Sequence, residues 1–125
     1  MDSSLLACKL SRELGIEALP HMTCRDRNVN ATKALLLGLA MEGVYNVLAV
    51  TGDPVPAGNR DSIKGVFQFN SRVLARFVRN LSEAGETEPF FICGIIVRSR
   101  SRRGTSKIYI RTENIDCRQH KNSYQ

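Results

Sequence analysis

Two short polar clusters in the sequence contain side chains of the types that bind ligands or transfer protons. The first cluster lies at the polar end of the short apolar segment 16–23 and just after it, and it consists of His21, Thr23, Arg25 and Asp26. The second follows the apolar run 46–50 and consists of Thr51, Gly52 and Asp53. A carboxylate on a glycine hinge can accept hydrogen bonds from a ligand ring, coordinate a cation or, with a raised pKa, exchange protons. The alternative is an ordinary turn, since Gly-Asp-Pro is a favourable turn sequence.

His21 and the arginines that follow it each have two interpretations. The imidazole of His21 could donate to a cofactor or shuttle a proton, or it could simply bond to the backbone. The other histidine, His120, lies far along the chain, so no nucleophile–histidine–acid constellation is indicated. Arg25 and Arg27 flank Asp26 and could bind a phosphate or a carboxylate, or form a local salt bridge with it. Neither a GxGxxG motif nor a P-loop motif occurs.

The polar clusters lie between segments whose hydrophobic patterns predict helices and strands. The predicted helices are 4–14, 31–42 and 71–83, and the predicted strands are 16–23, 46–50 and 89–97. Pro20 falls inside the first strand segment, where it is tolerated near a strand start. The order α-β-α-β-α-β predicts one sheet of parallel strands with crossover helices, as a barrel or a doubly wound sheet. In either arrangement the two polar clusters converge at the carboxyl edge of the sheet.

The ends and apolar faces of these helices can also be predicted. We expect Ser3 or Ser4 to cap the first helix, Asn30 the second, and Asn70 or Ser71 the third. The expected core faces consist of Leu6, Leu10 and Leu14 in the first helix, and of Val73, Leu74, Phe77, Val78 and Leu81 in the third.

The positive charge of the chain is concentrated at one end. The 125 residues carry a net charge of +6, but residues 1–97 hold ten basic and ten acidic side chains. We therefore divide the chain into a body, 1–97, and a basic tail, 98–125. The run RSRSRR at 98–103 could contact phosphates, and Tyr109 and Tyr124 could stack on bases. No recognised nucleic-acid-binding motif accompanies the tail, so a nucleic-acid partner is not favoured.

Composition disfavours several other classes of protein. No apolar run approaches the roughly 18 residues of a membrane helix, and the first residues lack the pattern of a signal peptide. We therefore expect a cytoplasmic protein without a membrane partner. The four cysteines are widely scattered, with no CxxC or CxxH pair, so we expect free thiols and no metal site.

Three segments together resemble a known enzyme family. They are LPHMTCRDRN at 19–28, LLLGLAMEGVYNVLAVTGDP at 35–54 and VFQFNSRVLARFVRNL at 66–81. They are similar to the methylenetetrahydrofolate reductases, and closest to the reductase half found fused to homocysteine methyltransferases. The resemblance covers about residues 5–94.

The resemblance implies a fold, a cofactor and a reaction. The family folds as a (β/α)8 TIM barrel, of which this chain would supply about three βα units. FAD binds at the carboxyl ends of the strands and is reduced by NADH, NADPH or another donor. The reduced flavin then passes a hydride to methylenetetrahydrofolate and gives methyltetrahydrofolate.

The same resemblance implies roles for five residues of this chain. Asp53 matches an aspartate beside the flavin ring that tunes the cofactor and contacts the folate, and it is the predicted catalytic residue. Thr51, Gly52 and His21 match residues at the FAD site. Phe67 falls near a position that is often tyrosine in the family, and we expect it to contact the substrate weakly.

The sequence also departs from the family pattern. The resemblance places the family's catalytic glutamate before the first residue of this chain, and further strands after residue 94. The sequence that follows residue 94 is unlike the family, and the charge distribution changes at nearly the same place. We interpret this as a shifted reading frame, an alternative exon or a misjoined gene model from about Ile95.

This departure leaves three functions open. The first is a truncated family member that is inactive alone, and that associates with the rest of a barrel or with itself because part of its sheet is uncovered. The second is a nucleic-acid-binding protein that acts through its tail. The third is a small α/β module that binds a nucleotide without catalysis.

Overall fold

The computed structural model describes residues 1–98 and 106–110, in which three helices alternate with three parallel strands and a fourth strand follows. The elements are α1 Ser3–Leu14, β1 His21–Thr23, α2 Val29–Met41, β2 Asn46–Val50, α3 Ser71–Glu83, β3 Phe91–Arg98 and β4 Ser106–Ile110. One turn of 3-10 helix, Ala57–Asn59, lies in the loop after β2. The predicted α-β-α-β-α-β order is confirmed, and so is the α/β class.

The four strands form one sheet in the order β1-β2-β3-β4. β1 is parallel to β2 and β2 to β3, with Met22 level with Ala49 and Val47 level with Ile92. β1 begins directly after Pro20, whose carbonyl accepts a hydrogen bond from the backbone N–H of Leu48 at 2.9 Å. β4 runs antiparallel to β3. The sheet therefore includes part of the segment that we predicted as a separate tail.

All three helices pack on the same face of the sheet. Alternate residues of a strand share a face, and Met22, Val47 and Ala49 lie on the face that the helices cover. They form one core cluster with buried side chains of α1, α2 and α3, which include Ala7, Leu36, Leu39, Leu74, Val78 and Leu81. The alternating residues His21 and Thr23 lie on the opposite face.

The residues that cap α1 and α2 are not the ones we predicted, whereas the cap of α3 is. Asp2, not a serine, caps α1, because its carboxylate accepts the backbone N–H of Ser4 at 2.8 Å. Asn28, not Asn30, caps α2, because its side-chain oxygen accepts the N–H of Ala31 at 2.9 Å. The prediction of Asn70 for α3 is confirmed. A short polar side chain just before each helix satisfies an N–H group that has no partner within the helix.

The predicted apolar face of α1 is wrong. Leu6 is 40% exposed and Leu14 is 64% exposed, whereas Ser4 and Ala7 are buried. The helix turns a stripe of small residues toward the core, and hydrophobic periodicity alone does not detect such a stripe. In α3 the predicted core face is confirmed for Leu74, Val78 and Leu81, but Val73 is 42% exposed.

Several predictions fall partly or wholly outside the described residues. Of the run 98–103, only Arg98 is described, and Tyr124 and Cys117 lie in the undescribed part of the chain. Cys8 and Cys24 are free thiols. In the described ranges no group of three or more His, Cys, Asp or Glu residues could hold a metal ion. No described helix has the length and apolar character needed to cross a membrane.

Candidate functional site

The two polar clusters meet at the carboxyl edge of β1 and β2. Thr23 is level with Val50, and the backbone N–H of Cys24 donates to the carbonyl of Val50 at 3.2 Å. The chains that leave the two strands therefore start side by side. Gly52 then lies against the first cluster, since a Cβ added to it would be 3.5 Å from the Cβ of Thr23.

Gly52 is the residue that allows this close approach. Its φ of +88° lies in the left-handed region, which side chains other than glycine rarely adopt. An added Cβ would also be only 3.3 Å from the Cβ of Arg25. The turn that presents Asp53 is thus packed directly on the side chain of Arg25.

Thr51 uses its hydroxyl to join the two ends of the loop 52–70. The backbone N–H of Ser71 donates to Oγ1 of Thr51 at 3.1 Å, and the two hydroxyl oxygens are 3.3 Å apart. Ser71 is the first residue of α3, where backbone N–H groups lack partners within the helix. The Thr51 hydroxyl is therefore engaged within the protein, which leaves its backbone for contact with a ligand.

The second half of this loop returns to the end of β1. The N–H of Val66 donates to the carbonyl of Arg25 at 2.6 Å, and that of Phe67 to the carbonyl of Cys24 at 3.1 Å. The N–H of Val29, at the start of α2, donates to Oε1 of Gln68 at 2.9 Å. These contacts bring Phe67 to the same edge as the two polar clusters.

Phe67 has an unusual backbone at this position. Its φ is +43°, in the left-handed region, and the residue is 39% exposed. The ring covers Gly65, where an added Cβ would clash with Cε2 of Phe67. Strained backbone of this kind clusters at functional sites.

Arg25, Asp26 and Thr23 form a connected polar group at the edge. Nε of Arg25 donates to Oδ1 of Asp26 at 2.8 Å, and Nη2 donates to Oδ2 at 3.0 Å. Oγ1 of Thr23 is 3.5 Å from Oδ2 of Asp26. The hydrogen bonds from Arg25 hold the pKa of Asp26 below its ordinary value. The sequence left open whether Arg25 binds a phosphate or carboxylate ligand or forms a local salt bridge with Asp26. The structure contains the salt bridge.

His21 lies farther from the edge than its sequence position suggested. It is the first residue of β1, level with Leu48, and its carbonyl accepts the hydroxyl of Ser3 at 2.8 Å. At about 3.3 Å per residue, it lies about 10 Å along the sheet from the level of Thr51. Our placement of His21 at the end of the first strand was therefore wrong, because β1 spans His21–Thr23 and begins at this residue. It does share a sheet face with Thr23.

The N-terminus of α1 also reaches the carboxyl edge, because a helix that precedes a parallel strand runs antiparallel to it. The carboxylate of Asp2 contacts the guanidinium of Arg27 in addition to capping the helix. The hydrogen bond from Ser4 is the main reason that the pKa of Asp2 lies below 3.8, and the charge of Arg27 adds to it.

The contacts of Asp2, Gln68 and Ser71 with the edge were not predicted. A polar residue next to a helix start is a signal for capping, but it does not reveal which distant group is contacted.

A wide groove lies at the other end of the sheet. Its volume is about 760 Å³, and it is lined by Leu37, Ala40, Met41, Tyr45, Ser82, Gly85, Glu86, Thr87, Glu88 and Pro89. Glu86, one of its two acidic residues, forms an ion pair with Lys33 at 2.6 Å. The groove contains none of the predicted site residues, so we place the candidate site at the carboxyl edge.

Comparison with known proteins identifies the family. No curated protein and no solved structure matched the chain. The family described as methylenetetrahydrofolate reductase matches residues 1–95, about three quarters of the chain. The match ends where the sequence departs from the family pattern. On the strength of this match, the chain belongs to the methylenetetrahydrofolate reductase family.

Proposed function

We propose that the chain is a segment of an FAD-dependent methylenetetrahydrofolate reductase. In this proposal residues 1–97 are part of a (β/α)8 barrel, and residues 98–125 are a basic tail whose strand β4 pairs with β3. The chain alone does not complete the reaction, because the resemblance assigns the catalytic glutamate and the later strands to sequence that it does not contain. It acts in the cytoplasm with the rest of a barrel or as an oligomer.

The single observation that carries this proposal is the position of the helices. α1, α2 and α3 contribute to one core cluster on one face of the parallel strands. A barrel has all its helices outside the sheet, whereas a doubly wound sheet has helices on both faces. On this reading His21 and Thr23 face the inside of the barrel. The carboxyl edge, where barrel enzymes bind their substrates, is where Asp53 lies.

The residues at this edge fit one side of a flavin ring. The ring system is planar and carries both hydrogen-bond donors and acceptors at its edge. At the edge, Asp53 offers an exposed carboxylate and Phe67 a partly exposed ring for stacking. His21, farther along the same sheet face as Thr23, offers an exposed imidazole. Gly52, which has no side chain, brings its backbone close to the same carboxyl edge. In this proposal these residues and the backbone of Thr51 hold FAD.

Asp53 has the central role in the proposed chemistry. Bound FAD would supply hydride transfer, from NADH or NADPH to the folate. The carboxylate of Asp53 beside the ring opposes negative charge on the reduced cofactor, which makes the hydride easier to give up. In this proposal Asp53 also accepts hydrogen bonds from the folate, and Phe67 contacts the folate weakly.

The visible absorption spectrum of the purified chain, recorded with and without added FAD, tests this proposal. We expect a protein-bound flavin spectrum that is lost when Asp53→Ala and His21→Ala are combined. The matched control is Asp61→Ala, which removes an exposed carboxylate from the same loop and should retain FAD. A wild-type chain that takes up no FAD under any condition would overturn the proposal for this chain.

A further inference from the structure

We propose that Arg25 is a positioning residue for Asp53, because it packs beneath the turn that presents this carboxylate and is itself fixed by Asp26. Arg25 would fix the orientation of the Asp53 side chain and offset part of the negative charge of the Asp53 carboxylate. This inference rests on the proposed function, in which Asp53 lies beside the flavin.

Direct packing supports the first part of the inference. The backbone of Gly52 lies so close to Arg25 that a Cβ added to Gly52 would be 3.3 Å from the Cβ of Arg25 and 3.8 Å from the backbone nitrogen of Arg25. Asp53 is the next residue, so the direction of its side chain depends on how Gly52 sits on Arg25. Apart from its chain neighbours Thr51 and Asp53, no other side chain of the described residues comes as close to the Cβ position of Gly52.

The backbone, the aliphatic part and the guanidinium of Arg25 each make a contact, so the residue can act as a fixed support. Its carbonyl accepts the N–H of Val66 at 2.6 Å. Its Cγ lies 3.5 Å from the Cβ position of Gly65. Its guanidinium makes two parallel hydrogen bonds with Asp26, a geometry that fixes orientation as well as distance.

The distribution of charge supports the second part. The edge carries the carboxylates of Asp2, Asp26 and Asp53, and the first two of these are paired with a guanidinium group. Arg27 pairs with Asp2 and Arg25 pairs with Asp26. Within the described residues the carboxylate of Asp53 has no hydrogen bond or ion pair, and the turn that presents it packs on the side chain of Arg25. The hydrogen bond with Asp26 and, more weakly, the charge of Asp53 raise the pKa of Arg25.

The first test uses the full chain without FAD. The Nε–H signal of Arg25 is followed by two-dimensional ¹⁵N–¹H NMR in the wild type, in Asp53→Asn and in the matched control Asp61→Asn. We expect Asp53→Asn to move this signal and Asp61→Asn to leave it in place. An Arg25 signal that is the same in all three chains would overturn the inference.

The second test measures the reduction potential of bound FAD. Arg25→Gln should lower the potential, because the charge of Asp53 is then no longer offset, and Arg25→Lys should restore most of it. The effect of Arg25→Gln should shrink in an Asp53→Asn background. An equal shift in both backgrounds would mean that Arg25 acts on the flavin directly, and the inference would be wrong.

The two tests separate this inference from the proposed function. A wild-type chain that binds no FAD refutes the proposed function, while the NMR comparison still decides whether Arg25 and Asp53 are coupled. Circular dichroism of each variant shows whether it retains the helices and strands of the wild type.

Discussion

The Oγ1 atom of Thr51 lies 3.1 Å from the backbone nitrogen of Ser71 and 3.3 Å from its hydroxyl oxygen. The first residue after β2 is thereby joined to the first residue of α3, and the loop 52–70 is closed at its base. Gly52 and Asp53 start from this closed base. Their position therefore depends on a contact between residues that are twenty positions apart in the sequence.

Replacing Thr51 with valine tests the contribution of this contact. Valine keeps the shape of the side chain but removes the oxygen, so we expect Thr51→Val to lower the free energy of unfolding by about 1 kcal/mol. Thr51→Ser keeps the oxygen and should lose less. Urea denaturation measures both values. Equal stability of Thr51→Val and the wild type would show that the contact does not stabilise the fold.

Replacing Gly52 with alanine should be costly. The backbone has a φ of +88°, and the new Cβ would meet Arg25 at 3.3 Å. We expect a loss of about 1–3 kcal/mol in the free energy of unfolding. Gly58→Ala is the matched control, because no atom lies within 4 Å of its Cβ position and its φ is not positive. If both variants unfold at the same urea concentration, the close packing of Gly52 is not a constraint.

The pKa of Asp2 predicts a dependence of stability on pH. This pKa is lowered in the folded state, chiefly by the hydrogen bond from Ser4, so the unfolded chain binds more protons near pH 3.8. The stabilisation is present above pH 3.8 and is lost as the pH falls through the lower pKa of the folded state.

Asp2→Asn keeps the helix cap but removes this titration. We expect the difference in unfolding free energy between wild type and Asp2→Asn to be largest near neutral pH and to shrink below pH 3.8. Asp2→Ala, which also removes the cap, should cost about 0.5–2 kcal/mol at neutral pH. A difference between wild type and Asp2→Asn that is constant with pH would contradict this account.

Two leucines test the orientation of the helices. Leu74 is 1% exposed and Leu14 is 64% exposed, although both occupy predicted apolar faces. We expect Leu74→Ala to lower the free energy of unfolding by about 2–5 kcal/mol and Leu14→Ala by less than about 0.5 kcal/mol. Chemical denaturation gives both values, and a large loss for Leu14→Ala would mean that this face of α1 is covered.

The helices and strands were predictable because their signals are local. The continuous apolar run 46–50 gave β2 its correct limits, and the periodicity of 71–83 gave α3 its correct limits. The side of α1 that faces the core was not predictable, since it consists of small residues that hydrophobicity scales rate weakly. β4 lies in a basic segment without a clear strand pattern.

The candidate site was predictable only in outline. Parallel topology alone brings the two polar clusters together, and the contact of Gly52 with Thr23 and Arg25 agrees with this. The contacts of Thr51 with Ser71 and of Phe67 with Cys24 depend on the path of a long loop, which sequence patterns do not give. The roles of His21, Thr51, Gly52, Asp53 and Phe67 toward FAD and folate stay predictions.

The position of β4 restricts how this sheet can grow. β4 pairs along the outer edge of β3, and its residues 106–110 lie beyond the range that matches the family. The next parallel strand of a barrel would need that same edge, so it could join only by displacing β4. The outer edge of β1, in contrast, has no partner among the described strands. Among the described strands β1 and β4 both have an unpaired outer edge, but a further strand can continue the parallel β1-β2-β3 order without displacing β4 only if it pairs with β1.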